Sequence, residues 1–300
     1  MAALECGFSA ANIVIDSPFI LENADGKGNM WKPENFSKRF YGPTTLRTAL
    51  EKSRNVVTVK LLNKIGIKTA ISYARKMGIK SPLAPYLSLG LGSSEVSLLE
   101  LTSAYGVLAN EGIRVNPVFI RQVIDRNKKV LEKNFIRKER VVSSQTAYIL
   151  TSMLQGVIKR GTGKTANVLP YPLAAKTGTT DRFADAWFIG YCPDLLAGVW
   201  VGLDDNQSLG KGETGAKVAC PLWIDFMRQV LKSWDSVSDF TVPEGLSYAY
   251  INPETGLLAD GNSPSKFLEV FKKGSEPKTY SSRLKNLKFK DNDFYLNFIE

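Results

Sequence analysis

Leu173-Ala174-Ala175-Lys176-Thr177-Gly178 is a short apolar run that ends in a cation, a hydroxyl and a glycine, and two further runs, Ala186 to Tyr191 and Ala197 to Gly202, follow it behind turn residues. Three such segments in succession predict consecutive antiparallel strands. A helix over Val218 to Leu231 is expected to back them, because Trp223, Ile224, Met227 and Leu231 recur at helical spacing. Upstream the texture is helical. One helix carries Leu46, Ala49 and Leu50 and runs out at Ser53-Arg54-Asn55. A second spans Thr69 to Met77 and stops at Gly78. A third opens at Ser97-Leu98-Leu99-Glu100, a capping-box pattern, and a fourth starts at Ser143 or Ser144. The β-branched run Val56 to Ile65 reads equally as helix or buried strand. The first forty residues read as irregular apart from a short strand at Ile13-Val14-Ile15. Asp25-Gly26-Lys27-Gly28 reads as loop, and Tyr41-Gly42-Pro43 as a break. The fold class is therefore α+β, a helical block followed by a small antiparallel sheet with a helix against it.

Composition narrows the chemistry. The 300 residues contain no histidine, which excludes Ser-His-Asp and Cys-His catalysis and any imidazole metal ligand. If the chain handles acyl groups, a lysine of lowered pKa must take the proton. Three cysteines, Cys6, Cys192 and Cys220, lack CxxC spacing and fit neither a disulfide framework nor a thiolate metal site. No metal and no cofactor are expected. The net charge of +10 favours anionic partners without naming one. Glu5 and Asp16 interrupt the early apolar stretch, and Asp194, Asp204 and Asp205 bracket the longest later one. The sequence as written thus carries neither a signal peptide nor a membrane span.

Two short motifs suit acyl transfer without histidine. Ser53 can relay a proton and Asn55 can hold a substrate amide. Lys176 can supply positive potential near both, Thr177 and Thr179 can bind a carboxylate, and a backbone N–H after Gly178 can face an oxyanion. Gly178 is expected to let a substrate backbone lie close to the strand. Each motif alone is common by chance. Their order, 123 residues apart, and their flanks give them weight: Trp31-Lys32-Pro33-Glu34-Asn35, Tyr41-Gly42-Pro43-Thr44, Leu87-Ser88-Leu89-Gly90-Leu91-Gly92, Gly161-Thr162-Gly163, Asp185-Ala186-Trp187-Phe188-Ile189-Gly190 and Glu213-Thr214-Gly215.

On these residues the chain resembles the transpeptidase domain of class A, bifunctional, high-molecular-weight penicillin-binding proteins. The resemblance implies the fold shared with serine β-lactamases and a peptidoglycan D,D-transpeptidase activity through an acyl-serine. The implied partners are a stem peptide ending in D-Ala-D-Ala and β-lactams that mimic it. It assigns catalytic roles to Ser53, Asn55 and Lys176 and substrate binding to Thr177, Gly178 and Thr179. It places the family outside the cytoplasmic membrane, with membrane contact only through an N-terminal anchor. Residues 1–235 are expected to form the transpeptidase domain, and residues 236–300 a basic, loosely structured extension. The family's nucleophile motif, Ser-x-x-Lys, is absent before Ser53. Four late matches, starting at Ser208, Ser263, Ser275 and Ser282, read as chance. The expectation is a copy lacking its nucleophile and the first strands of its sheet, inactive alone. The alternative is a non-catalytic peptidoglycan- or partner-binding remnant.

Two charge-based readings are weaker. Gly161-Thr162-Gly163-Lys164-Thr165 resembles the end of a phosphate loop, but Ile158 stands where that loop needs glycine. The basic tail, with Tyr280, Phe289, Phe294 and Tyr295, suits a solvated extension better than a nucleic-acid surface, and no nucleic acid is expected. Trp187, Phe188, Trp200 and Trp223 are expected in the core, Cys192 and Cys220 as buried small hydrophobes, and Asp185 as structural.

Overall fold

Alternation decides the centre of the molecule, seen here in a computed structural model that describes residues 1–22, 30–261, 263 and 265–282. Three strands, β9 (Ala174–Thr179), β10 (Asp185–Tyr191) and β11 (Leu196–Gly202), form an antiparallel sheet in the order β11-β10-β9, with Lys176 opposite Ile189 and Gly178 opposite Trp187. Successive side chains leave opposite faces. Ala174 and Tyr191 enter one core with Ile149, Met153 and Val157, while Ala175 and Phe188 enter another with Trp223 and Met227. Helix α6 (Ser144–Arg160) supplies the first of these layers and α7 (Ala219–Lys232) the second. Gly190 makes the second layer possible, because a Cβ there would press on the Trp223 ring and on Ala175.

The chain reaches this sheet through α1 (Ala2–Glu5), a strand pair β1 (Ile13–Asp16) and β4 (Gly42–Thr45), and the two-residue strands β2 (Leu21–Glu22) and β3 (Met30–Trp31). Helices α2 (Leu46–Glu51), α3 (Asn55–Ile65), α4 (Ile67–Lys76) and α5 (Leu98–Ala109) follow. Thr45 caps α2 by accepting from the Thr48 N–H at 3.2 Å. The ambiguous run 56–65 is helix α3. Val56, Val59 and Leu62, spaced by three, are buried on one side of it, and that packing overrides the strand preference of β-branched residues. Tyr41-Gly42-Pro43 is not merely a break, since Gly42 and Pro43 belong to β4. Between α5 and α6 a ribbon projects, built of β5 (Ile113–Val115) paired with β8 (Lys138–Arg140) and β6 (Gln122–Ile124) paired with β7 (Val130–Lys133).

The segment read as a loosely structured extension departs most from expectation. Strands β12 (Leu246–Ile251) and β13 (Phe267–Lys272) form an antiparallel pair in which Val270, Phe271 and even Glu269 are fully covered. Glu269 tolerates this because Arg47, 222 residues away, grips both its oxygens at 2.5 Å. Trp200 also differs: it is 39% exposed on the edge strand and donates its indole N–H to Asp185 at 2.8 Å, whereas Phe188, Trp223, Cys192 and Cys220 are buried. The Asp25-Gly26-Lys27-Gly28 loop and the tail beyond Ser282, with Phe289, Phe294 and Tyr295, lie outside the described residues. Among the described residues no helix is long and apolar enough to cross a membrane.

Candidate active site

The corner between α2 and α3 is built from a residue in an uncommon conformation. Ser53 has φ +53°, a left-handed geometry that costs a non-glycine residue of order 1 kcal/mol or more and persists only when its surroundings enforce it. The enforcement is visible. The Arg54 N–H donates to Ala49 O at 2.8 Å, and the Arg54 guanidinium lies 3.2 Å from the centre of the Tyr41 ring. On the α3 side, the buried Asn35 accepts from the Val56 N–H, satisfying a donor that the helix start leaves free. The Asn35 amide donates to Asp16 and to the Arg39 carbonyl, each at 2.8 Å. Asn35 thus ties β1, the preceding loop and α3 together.

Lys176 meets that corner. Its Nζ donates to Ser53 Oγ at 2.9 Å and to the Thr177 carbonyl at 2.8 Å, which leaves one ammonium hydrogen without a partner among the described residues. Among the described residues no carboxylate compensates it, and burial lowers its pKa from 10.5 to about 8. Because the lysine donates to Ser53, the hydroxyl hydrogen of Ser53 is free to point elsewhere. Asn55 turns differently: its amide donates to Glu34 O at 2.9 Å, leaving its side-chain oxygen as an acceptor.

The rest of the strand motif is held by glycine-rich text around it. Thr177 Oγ1 shares a hydrogen with Thr162 Oγ1 at 2.7 Å, and the Thr162 N–H donates to the Glu51 carbonyl at 3.1 Å. Thr162 therefore bridges the end of α2 and the strand motif. Gly161 permits the approach, since a Cβ there would collide with the Glu51 carbonyl. Thr179 Oγ1 accepts from the Gly215 N–H at 3.0 Å, and a side chain at Gly215 would run into the Gly178 and Trp187 carbonyls. Gly178 itself has a local reason to be small, because its missing Cβ would sit 3.1 Å from the Trp187 Cβ.

The structure thus joins Ser53 to Lys176 directly and sets Thr177, Gly178 and Thr179 beside them on one strand, with Asn55 opening α3. The late serines make other bonds. Ser208 accepts from Gly210, Ser263 donates to Asp260, and Ser275 donates to Lys272 O, while Lys285 lies outside the described residues. Sequence reasoning missed Thr162 and Asn35 as members of the site. The paired glycines around Thr162 were the signal: they count toward the resemblance as flanking text and are weighed as a phosphate loop, but no role at the site is assigned to Thr162 from them. Helix α6 precedes that segment, and a 3-10 turn at Lys164–Val168 follows it.

Residues 1–223 match the penicillin-binding protein transpeptidase domain family, and residues 242–285 match the C-terminal domain of penicillin-binding protein 1A. Penicillin-binding protein 1A of Aquifex aeolicus is 42% identical over 251 residues, covering 84% of this chain and 34% of its own length. The protein of that name from Pseudomonas aeruginosa is 36% identical over 330 residues, covering 92% of this chain and 40% of its own. The chain thus spans little more than a third of the curated relatives it matches. A crystal structure of penicillin-binding protein 1A from Haemophilus influenzae superposes with a TM-score of 0.85 at 28% identity, over 93% of this chain and 47% of that one. PonA1 of Mycobacterium tuberculosis in complex with penicillin V shares the fold, with a TM-score of 0.68 at 24% identity over 86% of this chain and 70% of its own.

Proposed function

The chain belongs to the penicillin-binding protein transpeptidase family, and from that premise we propose that it carries the substrate-recognition side of a D,D-transpeptidase site without the attacking serine. The observation that supports this most is the 2.9 Å contact between Lys176 Nζ and Ser53 Oγ, two groups 123 residues apart. A stem peptide ending in D-Ala-D-Ala lies along the outer edge of β9. Thr177 and Thr179 hold its terminal carboxylate, Lys176 supplies positive potential, and the Asn55 oxygen accepts from a peptide N–H. Ser53, held by Lys176, keeps its hydroxyl hydrogen free to face the bound peptide. A β-lactam carboxylate fits the same hydroxyls.

Acylation also needs a nucleophile, and no Ser-x-x-Lys precedes Ser53 in these 300 residues. Groups that remain when the nucleophile is missing supply binding and residual electrostatics only. The expected result is reversible binding of an N-acylated D-Ala-D-Ala peptide, seen by calorimetry, and no labelled band at 33.1 kDa on a denaturing gel after incubation with fluorescent penicillin. A labelled band would show that one of the chain's own serines reacts. Absence of peptide binding would remove the recognition role.

Thr162 supplies a finer test. Replacing it with valine keeps the shape and removes the hydroxyl that fixes Thr177. One such hydrogen bond contributes about 1 kcal/mol, so affinity for the free-acid peptide should fall roughly fivefold. Thr162→Ser should recover most of it. A peptide whose terminal carboxylate is converted to an amide should bind wild type and variant alike.

A further inference from the structure

The ribbon from Ile113 to Arg140 is the least covered part of the described fold. From Asn116 to Arg140 every residue except Val118 and Asp125 is exposed. A two-stranded ribbon is marginal in water by itself, and this one shows apolar groups on its surface. Phe119 is 81% and Phe135 71% exposed, with Ile120, Ile124, Leu131 and Ile136 also open to solvent. Phe119, Ile120 and Phe135 border an open depression of about 540 Å³ with Pro117, Glu132, Lys133 and Arg137 on its rim. Strands β6 and β7 pair only with each other among the described residues, so each keeps one unpaired edge. The ribbon carries nine basic and three acidic side chains, a net +6 in a protein whose total is +10. A soluble surface seldom concentrates open edges, aromatic groups and one sign of charge without a partner.

We propose that this ribbon docks an extended acidic segment of a partner protein. The segment adds as a third strand along an open edge, places alternate apolar side chains in the Phe119–Phe135 depression and turns its carboxylates to the basic side chains of the rim. The charge excludes a second copy of the same ribbon as the occupant, since two surfaces of +6 repel. Arg126, Lys128 and Lys129 occupy the turn, where the Asp125 carboxylate accepts from the Asn127 and Lys129 N–H groups at 2.8 Å, so the positive charge continues to the tip. An anionic bilayer is the competing occupant, and the vesicle arm of the test separates it.

The test uses the ¹⁵N-labelled chain and three probes: an alternating valine–glutamate octapeptide, its valine–lysine counterpart, and vesicles of phosphatidylethanolamine and phosphatidylglycerol. The valine–glutamate peptide should shift amide signals within 116–137 and bind more weakly as salt rises. The double variant Phe119→Ser, Phe135→Ser should weaken that binding by roughly tenfold or more, with an unchanged melting temperature and unchanged D-Ala-D-Ala peptide binding. Both side chains are exposed, so folding does not confuse the outcome. Equal binding of the valine–lysine peptide, shifts confined to other elements, or response to vesicles alone would each overturn the proposal.

Discussion

Arg47→Met is expected to lower stability by about 3–5 kcal/mol, the cost of leaving a buried carboxylate without its cation. Arg47 sits in the interior, bound to Glu269 through two hydrogen bonds of 2.5 Å, to the Ser152 carbonyl at 2.9 Å and to Ser152 Oγ at 3.1 Å. It also lies 3.7 Å from Glu51, whose same oxygen meets Arg160 at 2.5 Å. The Phe267 ring centre lies 5.0 Å from the Arg47 guanidinium and 4.8 Å from that of Arg160. Methionine fills the space and leaves Glu269, among the described residues, with only the neighbouring Val270 N–H. For a chain of this size the melting temperature should fall on the order of 10 °C. The control is Arg47→Met with Glu269→Leu, which removes both charges and should recover most of the loss. A drop of under a degree in the single variant would show that this ion pair contributes little.

Lys176→Met should act in opposite directions on stability and on binding. The ammonium is partly buried with no carboxylate beside it among the described residues, and desolvation lowers its pKa from 10.5 to about 8. Below pH 8 the folded state bears the full cost of holding that charge. Between pH 8 and 10.5 the unfolded chain keeps the proton more tightly than the folded one, so this group makes stability rise with pH across that window. The variant should therefore be more stable than wild type at pH 7 by roughly 1–3 kcal/mol, and the difference should vanish above pH 10.5. Affinity for the D-Ala-D-Ala peptide should fall by about 10- to 100-fold, the usual value of a charged hydrogen bond. Chemical denaturation of both proteins from pH 7 to 11 reads the first effect, and calorimetry the second. A stability difference that does not change with pH would mean Lys176 titrates normally.

Local signals carried the sheet. The apolar run before Lys176 and the two strands behind it were legible because period-two alternation and turn residues act within a few positions. The motif pair was legible too, as order and flanking text, and the geometry joins Ser53 to Lys176. What stayed hidden depends on distant partners. Val56 to Ile65 is ambiguous by propensity, and only burial of Val56, Val59 and Leu62 makes it a helix. Glu269 reads as a surface charge until Arg47 is seen against it. Trp200 reads as core because its strand is apolar, yet β11 lies at the sheet edge. Gly178 has a second reason to be small that local pattern does not show, since the nearest atom to its missing Cβ belongs to Trp187. Thr162 needed the Glu51 carbonyl, on another helix, before its two glycines made sense.

The Arg47–Glu269 grip also acts as a clasp between segments 222 residues apart, α2 and β13. The bend at Ser53 lies a few positions past Arg47, just beyond the same helix. Loosening the β12–β13 hairpin should therefore be felt at the corner that meets Lys176.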